Sequence, residues 1–333
     1  MVVAFQEMGD KPEVIVETQE IIESHKRLKP VRATEILDQL QSGQDPITPH
    51  IVVIRELSEN MLKIAKWAQA RGARVIHYTQ KPSRRERGYT AFRQDLTKIR
   101  AKQLASLPLS TITPVDHNNT LPSKLFHHRF NFPVLAGPQK LPARDNQIQV
   151  LLVGKLAQPR KRHFWAIDAL RVVQHPCKLV ICGADLDMEA DDGTRSKEYY
   201  QQLMDVVSEE KKNGQLVIEI HANVPPAEMN QHYQESDIFV LPALNEEFGI
   251  SVLEAMSYGC ATITTNEVGA SRHIISGING HVVDAHNESS FRTVLKDLLS
   301  DTSKRKQIQE AAIATIAEKH GTEQFREFII SRA

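Results

Sequence analysis

From residue 149 onward, short apolar runs alternate with amphipathic helical patterns, and few folds accept that alternation. Residues 149–153, 178–182, 216–221, 238–241, 261–264 and 280–283 each read as a strand. Helices are expected over 164–173, 197–211, 226–236 and 249–258, with Gly259 as a C-cap and two more helices at the end of the chain. Apolar runs without a polar face suit strands buried on both sides, as in parallel sheets covered by helices. Strict strand-then-helix order predicts an α/β fold with a doubly wound parallel sheet.

The first half carries the same signal more weakly. Residues 14–16 read as a short strand, and 34–41 as a helix with Ile36, Leu37 and Leu40 on one face. A strand at 50–55, a helix at 61–70 and a strand at 75–78 make a βαβ unit. That helix buries Leu62, Ala65 and either Ala68 or Gln69, and Gly72 caps it. Residues 109–115 read as the last strand of this half. Three prolines and a glycine in 132–143 mark a linker. The expected division is 1–131, a linker over 132–147, and a second domain over 148–333.

Charge excludes some partners. Forty-one Lys+Arg balance forty-one Asp+Glu, and aromatic residues make up 6%. Neither electrostatics nor stacking groups favour nucleic acid. Cys177, Cys182 and Cys260 lie in apolar runs without metal-ligand or redox spacing, so buried free thiols are expected. No leader pattern opens the chain, and no apolar run reaches the ~18 residues that span a bilayer. A cytoplasmic chain is expected. Residues 81–102 carry eight Lys/Arg against two acids, over a loop and then a helix with Phe92, Leu96 and Ile99 on one face. That stretch has two readings: peripheral contact with the anionic inner face of a membrane, or a solvated loop and helix.

In such sheets, ligands bind where strand ends lead into helix N-termini. After Val153 come Gly154, Lys155, Arg160, Lys161, Arg162 and His163. Cations at a helix start suit phosphate, and a solvated basic loop is the alternative. After Leu241 come Glu246, Glu247, Phe248 and Gly249, with Glu254 one turn into the helix. The first N–H groups of that helix, from Phe248, Gly249 and Ile250, are available to an anion. Glu246 suits sugar hydroxyls and Glu254 a diol such as ribose. Acids at a helix start are also favoured by the macrodipole alone. Glu254 argues against that simpler account, because it sits amid Val252, Leu253, Ala255 and Met256.

The run E-E-F-G-I-S-V-L-E-A-M-S-Y-G, with Glu246 and Glu254 as an E-x7-E pair, resembles the signature of family-four retaining glycosyltransferases of the GT-B fold. Val153-Gly154-Lys155-Leu156 is similar to that family's V-G-R-L, with Lys161 as the following lysine after one extra residue. The strand ending in Gly183, the run from Tyr233 through Asp237 to Pro242, and Gly269, Gly277 and Gly280 also match in order. The resemblance covers about 149 to 311. It implies two Rossmann-like domains facing a cleft, the N-terminal one short, with the last helix, near 323–332, crossing back to the first domain. It implies transfer of a sugar, with retention, from a UDP- or GDP-sugar to a glycan or lipid-linked acceptor, in cell-surface polysaccharide synthesis. By the same resemblance, Lys155, Lys161 and Glu246 are the catalytic set. Glu254, Phe248, Gly249, Ile250, Gly154 and Gly183 hold the donor. No cofactor and no metal is expected, and Asp185-Leu186-Asp187 reads as loop acids.

The first half departs from that family. A Gly-rich loop near its start is missing, Thr79-Gln80 stand where a histidine is expected, and His273 stands near the place of an acid. A competing expectation is therefore a non-catalytic pseudo-glycosyltransferase subunit that binds sugar nucleotide or a partner protein.

Overall fold

A computed structural model describes residues 15–16, 31–43, 51–54, 59–78, 110–113, 127–129, 131, 133–134, 137, 147–173, 175–186, 193–213 and 216–332. The basic stretch 81–102, most of the expected linker and Asp187 lie outside these residues. The chain divides into two compact units, one of residues 1–133 with 322–333 and one of 134–321.

In the first unit, strands β1 (Ile15–Val16) and β2 (Val31–Arg32) pair in parallel, followed by helix α1 (Ala33–Gln41). A parallel sheet runs in the order β3 (Ile51–Ile54), β4 (Arg74–Tyr78), β5 (Ser110–Thr113), β6 (His127–Arg129). Helix α2 (Glu59–Ala70) connects β3 to β4, with Leu62, Ala65 and Ala68 buried. Gly72 follows it in the left-handed region at φ 83°. The expectation that 109–115 ends this half's strands is corrected by β6, which pairs with β5. Its sequence, His-His-Arg, has no apolar period to announce it, and backbone pairing alone places it at the sheet edge.

The second unit is a parallel sheet in the order β12-β11-β10-β7-β8-β9. Its strands are β7 (Ile148–Val153), β8 (Cys177–Gly183), β9 (Val217–Ala222), β10 (Ile238–Leu241), β11 (Ala261–Thr265) and β12 (His281–Val283). The intervening helices are α3 (His163–Val173), α4 (Gly193–Asn213), α5 (Pro226–Glu235) and α6 (Ile250–Ser257). Val150, Leu152, Ile181, Val240 and Ile263 form one core with Ile167 and Leu170 of α3 and with Phe291 and Leu295. The alternate residues Leu151, Phe239 and Thr264 are fully buried too, so the central strands are covered on both faces. Cys177, Cys182 and Cys260 are buried free thiols, and burial pushes Cys177 and Cys182 up to about 11 and about 12.

Three helices rather than two end the chain: α7 (Glu288–Ser300), α8 (Thr302–Lys319) and α9 (Thr322–Arg332). Asp301 separates the first two. It closes α7, and its carboxylate accepts from Lys304 N–H to open α8. A single-residue break leaves the apolar period nearly continuous, which hides it in the sequence. Helix α9 belongs to the first unit, where Phe325 and Ile329 are buried and the Ile330 carbonyl accepts from Arg74.

His163, the first residue of α3, is fully buried. Its backbone N–H donates to the Tyr199 hydroxyl oxygen at 3.0 Å, and the same hydroxyl lies 3.0 Å from Nδ1. Burial holds the imidazole neutral and moves its pKa from 6.5 down to about 4. The unfolded chain takes up this proton near pH 6.5 and the folded chain does not, so stability falls as pH drops between those values. The loss amounts to about 3 kcal/mol by pH 4. Urea midpoints of the wild type and His163→Asn between pH 7 and 4 check this: the variant's midpoint should depend less on pH.

Candidate functional site

Strands β7 and β10 are neighbours in the sheet, and the chain leaves them in different directions. Their C-terminal ends form the switch point where doubly wound sheets bind ligands. The loop after β7 begins at Gly154 and turns through a short 3-10 helix at Pro159–Lys161, closed by Arg162 at φ 54°. A Cβ on Gly154 would lie 2.9 Å from Lys161 Cδ, so the lysine stem lies directly on the glycine. A Cβ on Gly183, at the end of β8, would lie 1.9 Å from the Gly154 carbonyl oxygen. Both positions demand glycine for close approach rather than for unusual φ.

The loop after β10 is tied to its neighbours through the backbone. Leu244 N–H donates to the Arg160 carbonyl at 2.8 Å, joining the two loops. Glu246 N–H donates to the Glu267 carbonyl, and its own carbonyl accepts from Gly269 N–H at 3.0 Å. A Cβ on Gly269 would lie 2.1 Å from the Glu247 carbonyl oxygen. Gly249 then adopts φ +75° as the N-cap of α6, a conformation that strongly favours glycine. Ile250 starts the helix, whose first turn leaves N–H groups without intrahelical acceptors. Phe248 is buried, its ring edge-on to His273 at 6.4 Å.

These loops bring Glu246 and Lys161 together. Glu246 Oε2 accepts from Lys161 Nζ at 2.6 Å and from Arg160 Nη1 at 2.5 Å. The side chains of Glu246 and Lys161 are only 13% and 10% exposed, against 40% for Arg160. Burial alone would raise the Glu246 carboxyl, but the charges and hydrogen bonds of Lys161 and Arg160 outweigh it and hold the group below the usual carboxylate range. For Lys161, burial lowers the pKa and the Glu246 partner restores only part of the loss. Lys155 is exposed on the same loop, near enough for its charge to lower Lys161 further. One carboxylate therefore pairs with two cations, and a third, Lys155, lies close enough to act on Lys161. Such a site can take a polyanion.

Lys161 and Glu246 form a direct ion pair. Arg160, absent from the expected set, shares the same carboxylate oxygen. Its signal in the sequence is only its place beside Lys161. An open hollow of about 490 Å³ lies next to it, lined by Pro159, Arg160, Arg162, Ser196, Leu244 and Asn245. Arg162 is committed elsewhere, donating to the Ala285 carbonyl and lying over the Trp165 ring.

Glu254 stands apart from that pair, on α6 one turn past Gly249. Its Oε2 accepts from the Tyr233 hydroxyl at 2.8 Å. Burial raises its pKa, and the Tyr233 hydrogen bond opposes the rise without cancelling it. Gly154, Gly183, Lys161, Glu246 and Gly249 thus meet at the two loop starts, while Lys155 and Glu254 flank them. Asp185 is exposed, with its carboxylate accepting from Leu186 N–H. Among the described residues no three His, Cys, Asp or Glu side chains converge to hold a metal ion. No described helix is long and apolar enough to cross a membrane.

The two partners of the ion pair are not equivalent. Lys161→Met leaves Glu246 on Arg160, whereas Glu246→Ala strands a desolvated ammonium beside two other cations. Glu246→Ala should cost about 2–4 kcal/mol and Lys161→Met clearly less, as denaturant midpoints would show.

Comparison with known proteins gives this arrangement a setting. A family model described as glycosyl transferases group 1 matches residues 136–315, more than half of the chain. D-inositol 3-phosphate glycosyltransferase of Paenarthrobacter aurescens (strain TC1) is 36% identical over 94 residues, 28% of this chain and 23% of that protein. Sucrose synthase of Melioribacter roseus is 28% identical over 169 residues, 48% of this chain and 21% of that protein. The chain thus spans less than a quarter of the length of these curated relatives. Crystallised Anabaena HepE, in complex with UDP, superposes with a TM-score of 0.70 at 14% identity, covering 94% of this chain and 89% of that one. A glycosyltransferase from Rickettsia africae gives 0.67 at 16% identity, covering 98% and 90%. At such identities these two likenesses show the fold, which is GT-B.

Proposed function

The chain belongs to the glycosyl transferases group 1 family, and on that footing we propose that it is a metal-independent retaining glycosyltransferase. It takes a sugar from a nucleotide-sugar donor and passes it to a glycan or lipid-linked acceptor in cell-surface polysaccharide synthesis. The observation that carries this reading is the single Glu246 oxygen shared by Lys161 and Arg160 at the start of α6. A donor diphosphate entering this site competes for those cations. Once they turn to phosphate, Glu246 is released to accept hydrogen bonds from the donor sugar.

In the reaction the bond between the anomeric carbon and the diphosphate oxygen breaks. The electron pair leaves with the nucleoside diphosphate, and the acceptor hydroxyl oxygen bonds to the anomeric carbon on the same face while its proton passes to the departing phosphate oxygen. Negative charge grows on the leaving oxygen, where Lys155, Lys161 and Arg160 stand ready with the N–H groups of Gly249 and Ile250. Fixed donors of this kind stabilise developing charge and fill the place that a divalent cation takes in other transferases. Glu254 takes the ribose hydroxyls. The UDP complex of Anabaena HepE makes uridine donors the first to try.

Calorimetry with a panel of UDP- and GDP-sugars tests the reading. Glu254→Ala should weaken the preferred nucleotide sugar by about 1–3 kcal/mol through loss of charged hydrogen bonds, and unchanged affinity removes the ribose assignment. Turnover of that donor should survive EDTA, and strong inhibition overturns the metal-independent mechanism. Binding without any turnover would favour the non-catalytic alternative raised by the atypical first half.

A further inference from the structure

Glu254 occupies an awkward place. Val252, Leu253, Ala255 and Met256 around it on α6 are fully buried, and the carboxylate itself is largely withdrawn from water. A carboxylate so placed needs a hydrogen-bond donor to remain ionised and to keep one orientation. That donor is Tyr233, from α5, whose hydroxyl lies 2.8 Å from Oε2.

Tyr233 is itself held from several sides. Its ring stacks on Tyr258 at 5.6 Å and 19°, and meets Phe239 at 6.3 Å and 46°. Its backbone carbonyl accepts from Cys260 Sγ at 3.3 Å. Tyr258 is backed in turn by the chain at Gly137, where a Cβ would lie 2.9 Å from its ring. Only 3% of Tyr233 is exposed, so its hydroxyl is aimed by packing and not by solvent. A phenol has one hydrogen to give. It goes to Oε2 and leaves Oε1 available to a ligand.

We propose that Tyr233 is a positioning residue for nucleotide recognition, fixing one oxygen of Glu254 so that the other meets the ribose diol of the donor. The proposal rests on the assignment of Glu254 to ribose given above. Tyr233 touches no substrate and acts only through Glu254. Among the described residues, the titratable groups that act on this carboxylate are Tyr233 and Tyr258. Burial pushes both phenols up, Tyr233 well above the ordinary tyrosine value, so both stay neutral at working pH. Loss of the Tyr233 hydroxyl therefore leaves burial unopposed at Glu254, and the carboxylate protonates at higher pH.

Tyr233→Phe in the full chain removes the hydroxyl and keeps the ring stack. UDP and 2′,3′-dideoxy-UDP serve as probes, titrated by calorimetry between pH 5 and 8. The variant should bind UDP about tenfold more weakly and dideoxy-UDP as the wild type does. The acid limb of its UDP affinity should move to higher pH, and its donor KM should rise with little change in kcat. A purely structural role would weaken both nucleotides alike or shift only the urea midpoint, and either result overturns the proposal. Glu254→Ala separates the two levels of inference. If that variant loses no preference for UDP over dideoxy-UDP, the ribose assignment itself fails. If it loses the preference while Tyr233→Phe keeps it, Tyr233 has no positioning role and the assignment stands.

Discussion

Lys161 and Glu246 meet at 2.6 Å with little exposure on either side, and the surrounding architecture is arranged to make that contact sustainable. A buried ammonium or carboxylate alone is costly, and a pair of them is worth its desolvation only with good geometry and further hydrogen bonds. Arg160 supplies one of these. The rest is steric. Gly183 lets β8 approach Gly154, Gly154 lets the lysine stem lie flat, and Gly269 lets the chain after β11 close on the Glu247 carbonyl. Any Cβ at these places would have to displace backbone or the lysine itself, and so would move the charges.

Lys161 and Arg160 share one oxygen of Glu246, with Lys155 nearby on the same loop. Glu254 follows a different logic. It is held by a neutral phenol, not by a cation, and burial raises its pKa against that hydrogen bond. One acid is paired with cations, while the other meets a phenol.

Much of this was legible in the amino-acid order. Alternating apolar runs announced the second unit's strands most clearly at β7, β8, β10 and β11, which are buried on both faces. Spacing placed Glu246 before a helix and Glu254 one turn within it, and Gly249 marked the helix start. Other features had no local signal. Strand β6 is His-His-Arg, with pairing but no period. The Arg160 contact depends on a 3-10 turn and on Arg162 adopting positive φ, neither of which its residues announce. Tyr233 meets Glu254 across 21 residues of chain, and only the completed packing of α5, β10 and α6 brings them together. The break at Asp301 is invisible because a single residue interrupts two helices of similar character.

The sheet order has a consequence for how the protein is made. Strands β7 and β10 lie side by side, but two strands and three helices separate them along the chain. The Glu246 loop is further tied to Glu267 and Gly269, beyond β11. During synthesis the cation loop emerges early and must wait for roughly a hundred more residues before its carboxylate partner can be locked in place, a delay typical of folds built on distant contacts. Until then Lys155, Arg160 and Lys161 stand as an uncompensated basic loop on a nascent chain. The Lys161–Glu246 contact therefore arrives late, once the chain beyond β11 is in place.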